Sequence, residues 1–235
     1  MSSTLQIPVT NLLLAALPQK DRNALLNDCE KVELVFAEEL YHAGEIMPYV
    51  YFPLEGFISL ITPVDNSANL EVGLSGNEGM LGITLILNID AAPFRALVQG
   101  AGSAFRISTA LFRQQLANSP ALQQLLTRYL YVTIMQLALT GACTRFHLVE
   151  ARLARWLLMT QDRAHSNYFH ITHVFLAYML GVRRVGITKA ASSLQKQKFI
   201  SYQRGDITIL DRAGLEAVSC PCYQADKETY QKILG

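Results

Sequence analysis

Cysteine is scarce in this sequence. Only Cys29, Cys143, Cys220 and Cys222 occur among 235 residues, too few and too scattered for a disulfide framework. A reducing cytoplasm is therefore the expected location. The first residues lack a basic start, an apolar core and a small-residue cleavage site, so secretion is not expected. Long apolar spans are missing as well. The uncharged stretch from Tyr129 to Thr144 is shorter than the roughly 20 residues a bilayer requires. It also contains Thr133, Gln136 and Thr140, with Arg128 and Arg145 at its edges. It reads as a buried interface helix, and no membrane partner is expected.

Catalytic signatures are missing too. Gly100-Ala101-Gly102 lacks the third glycine of a dinucleotide loop, and there is no Gly-Lys-Ser/Thr phosphate loop. No nucleophile stands at a supporting spacing from a base, so the chain is not expected to be an enzyme. The N-terminal region has no cysteine cluster of the kind that holds an iron–sulfur centre. Cys143 and His147 lie four apart on one helix face, and His165, His170 and His173 cluster later. No third and fourth ligand is evident from the sequence, so no metal is assigned. Cys220-Pro221-Cys222 reads either as a redox or metal pair or, preferably, as two small buried residues.

What the sequence does contain is unevenly charged. Residues 1–144 carry seven Lys/Arg against twelve Asp/Glu, a net −5, whereas residues 145–235 carry thirteen against seven, a net +6. With 51% hydrophobic residues the chain can bury real cores. An acidic front and a basic back suggest two domains, the second suited to a polyanion.

Leu12 to Leu26 reads as two short helices broken at Pro18. From Val32 to about Ile107 the texture is β-type. The runs VELVF, YVYF, GFISLI, LEVGLS and FRALVQ are separated by breaks such as His42-Ala43-Gly44-Glu45, Pro63-Val64-Asp65-Asn66 and Ala91-Ala92-Pro93. Several short strands at this spacing suggest a sandwich or barrel, with a short helical insertion from Glu78 to Leu87. Ser119-Pro120 is a helix-start signal. Leu122, Leu126, Tyr129, Thr133, Gln136, Thr140 and Cys143 then follow at alternating spacings of three and four, a coiled-coil-like seam expected to form a dimer interface. A fully buried monomer helix is the alternative. Leu148 to Arg163 forms a further helix.

The segment from Thr172 to Ala190 carries the function. Thr172 is a helix cap for an apolar face of Phe175, Leu176 and Met179, and Gly181 supplies a turn that favours positive φ. The next helix buries Ile187, Ala190, Ala191 and Leu194 and projects Arg183, Arg184, Thr188, Lys189 and Ser192 outward. Cationic and hydroxyl groups at the start of a second helix suit major-groove and phosphate contacts. Phe199 to Leu210 reads as two strands around a Gly-containing turn, a wing with Arg204 at its tip. Arg184 and Lys189 are expected to read bases, and Arg183, Thr172, His173, Ser192 and Arg204 to hold phosphates. A sensor module that acts through a protein partner, its helix-turn-helix degenerate, is the competing reading.

Taken in order, VYFPLEGFISL, VGLSGNEGMLGITLIL, RLARWLLM and LGVRRVGITKAASSLQKQKFISYQRGDITILD make the chain resemble the Crp/Fnr family of transcription regulators along nearly its whole length. The resemblance implies an α+β fold: a β jelly-roll sensor of cyclic-nucleotide-binding type with N-terminal helices (residues 1–118), a dimerisation helix (119–146) and a winged helix-turn-helix domain (147–235). It further implies a homodimer on an approximately palindromic double-stranded operator, with reading helices about 34–36 Å apart, working with RNA polymerase. In the best-known members an Arg-Glu pair opens the reading helix and an Arg follows. Here Arg184, Val185 and Lys189 stand there, and Val185 cannot accept from cytosine, so a different operator is expected. The family's phosphate cassette uses a Gly-Glu pair and an Arg-Ser/Thr pair. Glu78, Gly79 and Arg95 are the candidates for an effector pocket, but the Arg-Ser/Thr pair is absent. The expectation is an effector other than cyclic AMP, or none.

Overall fold

The computed structural model describes residues 11–63 and 69–235; the break expected at Val64-Asp65-Asn66 lies outside them. Two short helices open the described chain, α1 (Leu12–Ala15) and α2 (Gln19–Asn27). Asn11 anchors them. Its side chain caps α1 by accepting from the Leu14 amide at 3.0 Å and donates to the carbonyls of Pro53 and Gly79.

The sensor sheet is antiparallel, in the order β1 (Glu30–Leu34), β5 (Arg95–Ser108), β3 (Tyr49–Pro63), β4 (Asn69–Ser75), and β2 (Glu39–Tyr41) also pairs with β5. YVYF and GFISLI, expected as separate strands, are one strand, β3. The apparent break at Gly56 is a bulge: the register against β5 shifts on both sides of it, and its φ is +76°. A Cβ there would run into the carbonyls of Gly100 and Ala101, so β3 and β5 can cross only where both lack side chains. The insertion expected over Glu78–Leu87 is a shorter 3-10 turn, Ile83–Leu87, bounded by left-handed Gly82 and Asn88.

Two helices join the sensor to the rest. The first, α3 (Thr109–Asn118), is not among the elements expected from the sequence. It is capped by Ser108 and buries Phe112 and Leu116. The second, α4 (Pro120–Phe146), begins as expected, with Ser119 Oγ accepting from the Leu122 amide at 3.1 Å.

The interface seam expected along α4 needs correction in its first half. Leu122, Leu126 and Tyr129 are buried in the chain's own sensor core, and the Met80 amide donates to the Tyr129 hydroxyl at 3.2 Å. Thr133, Gln136 and Thr140 are half-buried beside them. The heptad pattern identifies the inward face because an apolar stripe looks alike whether it meets its own domain or a partner. The outward face carries Tyr131, Ile134, Ala138, Gly141 and Ala142, with Ile134 53% exposed.

The basic half consists of α5 (Val149–Ala164), β6 (Tyr168–His170), α6 (His173–Leu180), α7 (Arg184–Lys196), β7 (Ile200–Gln203), β8 (Asp206–Ile209), α8 (Arg212–Val218) and α9 (Cys222–Leu234). Its core of Leu153, Leu157, Leu176, Ile187, Leu194 and Leu215 is completed by Ile61 and Leu97 from the sensor sheet. The domain is thus docked, not merely tethered. The expected α+β architecture is borne out, and among the described residues no helix is long and apolar enough to cross a membrane.

Candidate nucleic-acid interface

The reading unit is built from local rules. Thr172 accepts from the Phe175 amide at 3.2 Å and starts α6. Gly181 ends it at φ +61°, a conformation that glycine adopts at little cost. Helix α7 then lies across α5 and α6, with Ile187, Ala190, Ala191 and Leu194 buried. The same periodicity leaves Arg183, Arg184, Val185, Thr188, Lys189 and Ser192 exposed on one face.

The wing is a three-stranded sheet in the order β6-β8-β7. Strand β6 adds to the two strands expected there. Its Tyr168 hydroxyl donates to Asp206 Oδ1 at 2.7 Å, and His170 Nδ1 lies 2.8 Å from the same oxygen. These two bonds hold the Asp206 carboxyl below its ordinary range. Arg204 and Gly205 form the tip, at φ +55° and +98°. Two left-handed residues in a row make the tight hairpin that matches strand twist, and they present the Arg204 side chain beyond the sheet.

His173 is placed differently from its expected role at phosphate. Its Nδ1 lies 3.1 Å from Thr188 Oγ1, its ring packs edge-on against Tyr202 with centroids 4.5 Å apart, and its Nε2 is buried. Desolvation, then the nearby Arg184 charge, lowers its pKa, so the ring is neutral near pH 7. It is a strut between α6, α7 and the wing. Gln195, which the sequence does not single out, is a second strut: its Oε1 accepts from the Tyr202 amide at 2.9 Å. Polar residues late in a helix carry no signal for such a role.

Charge separates by side. On the inner surface Arg155 pairs with Asp226, Arg163 with Glu78 and Arg212 with Asp162, while Arg152 donates to the Leu180 carbonyl. Among the described residues, Arg183, Arg184, Lys189, Lys196, Lys198 and Arg204 pair with no acid. Arg183 and Arg184 also sit at the positive end of the α7 dipole with no acid in the first turn. Each such placement costs a few tenths of a kcal/mol or more in isolation. The arrangement becomes favourable when a polyanion covers it.

The expected effector residues do not converge. Glu78 receives the Arg163 guanidinium at 2.7 Å, and Arg95 donates to the Tyr178 hydroxyl at 3.0 Å and pairs with Glu39. Gly79 lies against the Tyr129 hydroxyl, which a side chain there would strike. Glu78 and Arg95 therefore bolt the basic domain to the sensor instead of facing a shared pocket. A cavity of about 150 Å³ does open between the sensor and α4, lined by Met80, Leu81, Phe94, Tyr129 and Ile134 among others. Its lining is almost wholly apolar and offers no cation for a phosphate. Cys143 and His147, for which the sequence shows no further ligands, meet Cys220 and Cys222 in space.

A β-rich domain bearing a long helix and a docked winged helix-turn-helix is an architecture suited to a DNA-binding protein. Comparison with known proteins places it further. Residues 151–218 match the Crp-like helix-turn-helix domain. FixK2 from Bradyrhizobium japonicum superposes with a TM-score of 0.69 at 14% identity, over 82% of this chain and 98% of its own. A putative Crp/Fnr-family transcriptional regulator from Eubacterium rectale gives 0.67 at 16%, over 88% and 96%. The c-di-GMP-responsive global regulator CLP of Xanthomonas campestris gives 0.67 at 14%, over 82% and 99%. No curated protein matches at the sequence level. The chain thus carries a Crp-like helix-turn-helix domain over residues 151–218, on a fold shared with solved Crp/Fnr-family regulators.

Proposed function

We propose that this protein is a homodimeric, sequence-specific transcription regulator whose sensor domain answers to an effector other than cyclic AMP, or to none. The observation that carries the DNA-binding reading is the row of unpaired cations on α7 and the wing, set at the positive end of a helix. Arg184 and Lys189 read base edges, and the exposed Val185 suits a thymine methyl. Arg183, Thr172, Ser192 and Arg204 contact phosphates. The partner copy meets the outward stripe of α4 around Tyr131, Ile134 and Ala138, which sets the spacing of the two reading helices. The apolar cavity between the sensor and α4 favours a neutral, largely apolar effector, and its filling shifts α4 between two packings.

The test is selection of bound duplexes from a random library, with and without cyclic AMP. A palindromic site, with affinity falling steeply as salt rises, is expected, and cyclic AMP should leave it unchanged. Arg184→Ala should relax the sequence preference and weaken binding by about 1–3 kcal/mol. No enriched sequence, or unchanged discrimination in the variant, would overturn the base-reading assignment.

A further inference from the structure

Three thiols and an imidazole converge where the end of α4 meets the start of α9. Cys143 lies in the last turn of α4, and His147 is that helix's C-cap. Cys220 lies in the turn between α8 and α9 and Cys222 opens α9, more than 70 residues further along the chain. Their ligand atoms all lie within 4.8 Å of one another. Cys143 Sγ stands 3.4 Å from Cys220 Sγ, and Cys222 Sγ stands 3.6 Å from His147 Nδ1. Four ligands about 2.3 Å from one tetrahedral ion are about 3.8 Å apart, so these separations are those of a coordination shell.

Neither a disulfide nor ordinary apolar packing accounts for this convergence. A disulfide needs sulfurs about 2.05 Å apart and leaves the third thiol and the imidazole without a reason to face the same point. Thiols acting as small hydrophobes would join a core, but these three form a cluster separate from both large cores. A binuclear iron–sulfur cluster would spread the ligands of its two irons well beyond the span observed.

The surroundings complete the case. The backbone is shaped to deliver the ligands: the His147 amide bonds back to the Cys143 carbonyl, and the Cys220 amide bonds to the Ala151 carbonyl. Three thiolates and a neutral imidazole around a divalent ion leave a net charge of −1, which needs a cation nearby. Arg152 and Arg155 line the same hollow as Cys143, and Arg155 Nε is buried without a partner among the described residues.

We propose that Cys143, His147, Cys220 and Cys222 bind one thiophilic divalent cation, Zn2+, in a closed Cys3His structural site. The ion ties the end of the long helix to the C-terminal helix of the DNA-binding domain and so holds the orientation of that domain. Soft thiolate donors exclude Mg2+ and Ca2+, and four protein ligands leave no open position for chemistry.

The test uses the full chain, purified under reducing conditions from zinc-supplied cells, and elemental analysis. About one Zn2+ per chain is expected, with Cys143→Ser and Cys222→Ser falling below about a tenth of that and Cys29→Ser, in the distant sensor domain, unchanged. Should the variants fold poorly, cobalt titration of the metal-stripped native sequence decides: thiolate-to-cobalt charge-transfer bands should saturate at one equivalent and be displaced by Zn2+. The proposal is overturned by a wild-type protein with no metal and no saturable cobalt spectrum. It is equally overturned by full metal content in Cys143→Ser, or by a Cys143–Cys220 disulfide in the freshly isolated chain.

Discussion

Replacing Glu71 by glutamine should make the protein less sensitive to rising pH. Glu71 is enclosed in β4 between the sensor sheet and the DNA-binding domain. Its Oε2 accepts from Ser59 Oγ at 2.6 Å and from Gln99 Nε2 at 3.2 Å, and its Oε1 accepts from Trp156 Nε1 at 2.6 Å. Burial outweighs these bonds and the Arg163 charge, and pushes the carboxyl up to about 7 from an ordinary 4.5. Between those values the folded chain keeps a proton that the unfolded chain has lost. The contribution is therefore fully present below about pH 4.5 and is lost as pH rises through about 7. At 1.36 kcal/mol per unit, the whole effect is about 3 kcal/mol. Glutamine has no charge to bury. Its oxygen can face Trp156, and its amide can donate to Ser59 and to Gln99 Oε1, which has no partner among the described residues. The stability of Glu71→Gln relative to the native sequence should thus grow by about 2–3 kcal/mol between pH 5 and pH 8. Urea unfolding at those pH values measures it, followed through the fluorescence of Trp156, the single tryptophan, which lies at this contact. Parallel pH profiles for the two proteins would refute the reasoning.

Ile134→Arg, on the outward face of α4, should convert the proposed dimer to a monomer in light scattering, whereas Leu126→Ala should cost about 2–5 kcal/mol in unfolding and leave association intact. A persistent Ile134→Arg dimer would place the interface elsewhere. Asp226→Ala strands the buried Arg155 charge, and a loss of about 3–5 kcal/mol is expected in thermal or denaturant unfolding; a loss near zero would mean that water reaches the guanidinium. Gly181→Ala forces a side chain into a left-handed turn against Leu70, costing about 1–2 kcal/mol; a calorimetric change of only a few tenths would show that the turn relaxes easily.

The parts of this protein legible in its sequence are those decided within about twenty residues. The cap at Thr172, the left-handed turn at Gly181, the buried Ile187, Ala190, Ala191 and Leu194, and the Arg204-Gly205 hairpin each follow from backbone preference and periodicity, and the structure places them where those rules do. The helix at Thr109–Asn118 gives no comparable signal, because its apolar face is only Phe112 and Leu116, too sparse to register as a period. Gly56 looks like a strand end in the sequence because a bulge and a turn draw on the same residue.

Everything that depends on distant segments meeting was decided by tertiary structure. Periodicity shows that α4 has an apolar stripe but not what covers it, and the sensor core claims Leu122, Leu126 and Tyr129 while leaving Tyr131 and Ile134 outside. Glu78 and Arg95 have the chemistry of ligand groups, yet Arg163 and Tyr178, from another domain, take them as partners. Cys143 and Cys222 became neighbours only because α9 packs back along α4. A local pattern specifies a surface and its chemistry; which surface it meets is set by the packing of the whole chain, where burial of each apolar face and pairing of each buried charge must be satisfied together.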